Sequence, residues 1–111
     1  MKLDSADVLC DLLEESCSLV AIDERSNIPQ TGLPMADTLL KGVIEVQALA
    51  HKNTVNRMVD KICLVQEIED HERGRLIQNA SIIKERYAKS EFVIREMDRL
   101  LGALLPALAK N

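Results

Sequence analysis

The chain has 111 residues, 47% of them apolar and 29% charged, with a net charge of −4, one Tyr, one Phe and no Trp. Such a length is one domain, and the mixture is too apolar for a disordered tail and too charged for a membrane protein. The scarcity of aromatics, with only four Gly and three Pro, leaves too few strand formers and turns for a sandwich or barrel, so the expected class is all-α.

The opening MKLDSADVLCDLL is acidic from its fourth residue and has none of the apolar run a secretory signal needs. With three cysteines, an odd number, this points to a cytoplasmic, reducing location with Cys10 and Cys17 as small buried hydrophobes. Asp4 or Ser5 can cap a helix whose first turn holds Asp7. Leu9, Leu12, Leu13, Cys17, Val20 and, less strictly, Leu19 fall at helical spacing, predicting a first helix over 5–24. Residues 25–34, RSNIPQTGLP, carry two prolines and a glycine and read as a loop. Pro34 suits the first position of the next helix.

From Met35 there is no proline until Pro106. One ladder of alternating three- and four-residue steps runs Ala48, His51, Val55, Met58, Ile62 and Val65. A longer one runs Leu76, Ala80, Ile83, Tyr87, Ser90, Ile94, Met97, Leu101, Leu104 and Leu108. The two are out of phase, and the change falls at Glu69-Asp70-His71-Glu72-Arg73-Gly74-Arg75. The spacing therefore predicts a helix over 34–73, a turn capped by Gly74, and a helix over 75–109 packed back on it as a hairpin. The alternative is one continuous helix with a four-residue stutter. His51 is either a buried register-setting residue or the frayed end of the bundle, and Asn53 and Asn56 allow a kink beside it. A first helix of about 30 Å cannot cover a hairpin of about 50–60 Å. The expected architecture is a short N-terminal helix plus long heptad-patterned helices in an antiparallel bundle or coiled-coil hairpin, its core completed by oligomerisation.

Charge is uneven: residues 1–30 carry −5, residues 31–70 carry −2 and residues 71–111 carry +3. Acidic helix one is therefore expected beside the basic C-terminal helix, through Arg95 and Arg99. The bases of that helix alternate with Glu85, Glu91, Glu96 and Asp98, as on a solvated face rather than a phosphate-binding one. The longest apolar run, 100–109, is half a bilayer's worth and holds Pro106, so no membrane span is expected.

Chemistry-bearing constellations are sparse. Cys63, Glu67 and His71 stand at i, i+4 and i+8 but lack the tight C-x-x-C or H-x-x-x-H spacing of a zinc site. A di-iron bundle needs Glu three residues before His, where this chain has Ala48 and Ile68. Glu14-Glu15 and Glu67-x-x-Asp70 are fragments of a magnesium-binding acid set, with Ser18 in place of a third acid. No catalytic residue, metal, cofactor or small-molecule substrate is expected. The reading is a non-enzymatic scaffold, adaptor or small complex subunit that binds protein, itself or other helical subunits. Its partner-binding seam is expected at Ile94, Met97, Leu101, Leu104 and Leu108, the most apolar part of the long ladder. The rival classes are a small all-α dimeric enzyme with an acidic metal or nucleotide site and a helical nucleic-acid-binding regulator.

Overall fold

The computed structural model describes residues 6–25, 31–65 and 67–109, the side chains of 106–109 excepted. Within them the chain is all-helical, with α1 Ala6–Arg25, α2 Pro34–Leu64, α3 Asp70–Arg86 and α4 Glu91–Ala109. Each helix supplies an apolar stripe to one core. α1 gives Cys10, Leu13, Cys17 and Val20, α2 gives Val55, Val59 and Ile62, α3 gives Leu76, Ala80 and Ile83, and α4 gives Val93, Met97, Leu100 and Leu104. Burying a side chain of this kind is worth about 1.5–3 kcal/mol.

The expected helix over 34–73 ends at Leu64, and the chain does not turn at Gly74, which lies inside α3. The acids that read as the end of a helix are instead the start of one. Asp70 and Glu72 occupy the first turn of α3, where the helix dipole favours negative charge. The expected helix over 75–109 is also two helices, broken at Tyr87–Ser90. Ser90 Oγ accepts a hydrogen bond from the Val93 N–H at 3.2 Å, so it starts α4 by capping it. Past the break the buried face turns slightly about the helix axis, with Val93 and Leu100 in place of Ile94 and Leu101 while Met97 and Leu104 keep their places. Beyond Ser90 the buried apolar residues are Val93, Met97, Leu100 and Leu104, while Ile94 and Leu101 are half-buried.

Nor do α2 and α3 form the expected hairpin. The helices that touch are α1 with α2, α3 with α4, α2 with α4 and α1 with α3, plus a narrow contact of α1 with α4. α2 and α3 thus stand on opposite corners. Contacts in register along α1 and α3 fix those two as parallel: Arg75 Nη2 reaches Asp7 Oδ1 at 2.8 Å, and Arg86 pairs with Glu14 one helical stretch further on. The acidic first helix therefore does meet basic side chains, but on α3. Arg99 of α4 pairs with Asp60 and Glu96, and Arg95 lies over the Phe92 ring.

Candidate protein-interaction surface

The four helices differ in length in a way that shapes the surface. α2 has 31 residues, about 46 Å, against 20, 17 and 19 for α1, α3 and α4. All three buried residues of α2 lie at or beyond Val55. Its N-terminal half, 34–50, extends past the ends of the other helices and gives the molecule a long axis of 61 Å against widths of 26 and 19 Å. His51 marks the level at which α2 leaves the core. Its Nδ1 lies 2.5 Å from Asp23 Oδ2 in the last turns of α1, and both side chains are largely shielded. His51 is thus a polar clasp between α1 and α2, not a core register residue.

Local interactions define where the projecting half begins. Gly32 has φ +83°, the left-handed conformation glycine adopts without a side-chain clash. The Thr31 N–H and hydroxyl both donate to Asp37 Oδ1, at 2.8 and 2.9 Å, and Leu33 donates its N–H to Thr31 Oγ1 at 3.2 Å. Pro34 opens the helix, where its missing N–H costs nothing. The segment before the helix is therefore bound back onto its first turn.

What this half displays is apolar. Half of the exposed large hydrophobics among the described residues fall in it or beside it: Leu33, Met35, Leu39, Leu40, Val43, Val46 and Leu49, with Met35 at 79% and Val46 at 70% exposure. Met35, Leu39, Val43, Val46 and Leu49 follow one another at steps of four, four, three and three, so they form one stripe. Asp37, Lys41 and Glu45 stand four apart on another line of the helix, leaving the stripe uncharged. The five side chains of the stripe expose roughly 600 Å², the upper end of the ~300–600 Å² patch that monomers usually carry.

At the base of the stripe Leu49 borders an open groove of about 600 Å³ shared with Lys52, Lys89, Phe92 and Arg95. Lys52 Nζ and Arg95 Cζ each lie 5.6 Å from the centre of the Phe92 ring, a cation–π arrangement that holds both charges at the rim. The surface thus has an apolar centre with a polar edge, the usual anatomy of a protein-binding patch.

The seam read from the sequence lies elsewhere. Met97 and Leu104 are buried inside the protomer, Ile94 and Leu101 are half-buried, and the side chain of Leu108 lies outside the described residues. The exposed stripe of α2 is legible as a third helical series, Met35, Leu39, Val43, Val46 and Leu49, that the two ladders do not use, but it is shorter than the long ladder and gives the weaker periodic signal.

The structure places the chemistry-bearing groups as follows. Cys63, Glu67 and His71 do not share a helix face, because α2 ends at Leu64 and α3 begins at Asp70. Glu69, His71 and Glu72 bring ligand atoms within 4.8 Å of one another at the surface, and the His71 Nδ1 already faces Glu69 at 3.4 Å. Glu96 is the one buried carboxylate among the described residues. Its Oε1 accepts from Asn56 Nδ2 at 2.7 Å and its Oε2 from Arg99 Nε at 2.9 Å. Arg99 also reaches Asp60, and this hydrogen bonding holds its guanidinium further towards the protonated form. Burial pushes the Cys17 thiol up to about 12 and raises Cys10 and Cys63 as well, so none is poised as a nucleophile near neutral pH.

No protein-family model, no curated protein and no solved structure matches the chain. Among the described residues, no helix is long and apolar enough to cross a membrane.

Proposed function

We propose that this chain is a non-enzymatic protein-association module, a scaffold, adaptor or small subunit of a larger assembly, which binds another helix along the projecting half of α2. One observation carries the reading: about 25 Å of continuous helix, residues 34–50, without a single buried residue and with its apolar stripe uncovered. A lone helix of that length is marginal in water, so docking both covers the stripe and stabilises the helix. The occupant in this reading is a second amphipathic helix, paired along a coiled-coil-like seam.

The test compares tagged wild-type chain with the double variant Leu39→Asp, Val46→Asp in affinity capture from cells. Both substituted side chains are exposed, so the four-helix body keeps its helicity and melting behaviour. Wild type is expected to bring down a defined set of proteins that persists in high salt, and the variant to lose it. Apolar packing survives salt, whereas phosphate-driven nucleic-acid binding weakens steeply. Equal capture by both chains overturns the reading.

A further inference from the structure

Resting on that reading of the projecting half, we infer that its occupant is a second copy of this chain, two α2 helices packing antiparallel about a twofold axis level with residue 44. The first argument is area. Roughly 600 Å² of uncovered stripe per protomer, or about 1,200 Å² for a pair, reaches the lower bound of a stable, specific interface. The patch is thus of the right size to pair with a copy of itself, and a twofold pairing uses the same patch twice.

Charge supports a self-complementary partner. Asp37, Lys41 and Glu45 are the only charged side chains between 34 and 50, and they lie off the stripe. A copy of the stripe therefore meets no like charge across the seam, and no excess charge requires a partner of opposite sign.

Geometry decides between the two directions. In the antiparallel arrangement each four-helix body sits at its own end of the dimer, and each projecting half, about 25 Å long, is matched in length by its mate. A parallel pair would set the two bodies side by side, where the residues outside 34–50 carry a net charge of −3 per copy, so that like charges would meet. With the axis near residue 44, Leu39 of one copy lies beside Leu49 and Ala50 of the other, and Val43 lies beside Val46. Gly42 falls near the centre, with nothing within 4 Å of where a Cβ would stand, and admits the partner helix closely.

The experiment is sedimentation equilibrium of the purified full-length chain, with cysteine cross-linking to read direction. Wild type is expected as a dimer at micromolar concentration. Leu39→Asp with Val46→Asp should weaken association by at least about a hundredfold, while Val8→Asp with Leu12→Asp, exposed on α1, should leave it unchanged. In a Cys63→Ala background, Val43→Cys should form an intermolecular disulfide. Met35→Cys should not, since antiparallel packing separates the two copies of residue 35 by about 27 Å along the axis. Cross-linking through position 35 overturns the antiparallel pairing. A species other than the dimer at about 50 µM, some fiftyfold above a micromolar Kd, overturns the second copy as occupant. If that species still captures other proteins through the projecting half, the interaction reading survives and only this inference falls. A dimer insensitive to Leu39→Asp with Val46→Asp overturns both.

Discussion

Residues 34–50 and 51–64 belong to one continuous helix, yet the first half exposes Met35, Leu39, Val43, Val46 and Leu49 while the second buries Val55, Val59 and Ile62. The exposed half is no less apolar and no more charged than the buried one. The Asp23–His51 clasp marks the border between them, two residues before α1 ends at Arg25. Val55, Val59 and Ile62 lie on the opposite side of α2 from that stripe, and Asn53, Arg57 and Asp60, which carry the stripe's line into the second half, are exposed there too. Burial in this protein is therefore set by which face of α2 the neighbouring helices cover as much as by local hydrophobicity, and an apolar stripe on the uncovered face stays exposed unless a second molecule covers it.

The largest expected effect comes from making the same kind of substitution on both sides of that border. Leu100→Ala removes a fully buried side chain from α4 facing the core and should cost about 2–5 kcal/mol. Leu39→Ala, under conditions where the chain is monomeric, should change stability by no more than about 0.5 kcal/mol. Urea unfolding of the two variants checks this, and a comparable loss from both would mean that the projecting half has a partner within the protomer.

That contrast also separates what was legible in the sequence from what was not. The all-α class follows from composition, and the stripe of Leu13, Cys17 and Val20 lies where the first helix buries it. Both breaks were hidden, because neither contains the proline or glycine that punctuates a chain. Ser90 continues the three-four ladder, although a Ser followed by Glu91 is also a helix start. The acids 69–72 stand just before Gly74 and so mimic a helix stop, although acids belong to the first turn of a helix rather than its last. Once both breaks are placed, Met97 and Leu104 move to the core and the uncovered stripe is left on α2. Periodicity locates an apolar face, but helix lengths and the order of contacts decide which faces remain open.

A smaller effect is expected where α2 and α4 share their polar contacts. Arg99→Ala removes one of the two side-chain partners of the buried Glu96, leaving only Asn56. An underserved buried carboxylate costs about 1–3 kcal/mol. Arg99→Lys restores charge without the planar fork and should recover part of that loss. Thermal unfolding monitored by circular dichroism measures both, and an unperturbed Arg99→Ala would mean that Glu96 is served by water instead.

The smallest effect sharpens the comparison most, because it uses two glycines with the same local environment. Gly42 in the projecting half of α2 and Gly74 in α3 are both helical, and an added Cβ meets nothing within 4 Å at either. Replacing glycine by alanine inside a helix gains about 0.5–1 kcal/mol. Gly74→Ala should therefore raise stability by that amount whatever the association state. Gly42→Ala should raise the helicity of the projecting half in the monomer but weaken pairing, since the methyl group enters the seam where the two backbones approach. Hydrogen exchange of residues 35–50, measured above and below the dimerisation concentration, reads both effects together. Protection that rises with Gly42→Ala at low concentration and falls at high concentration places Gly42 in the seam; protection that rises at both places the contact on another part of the stripe.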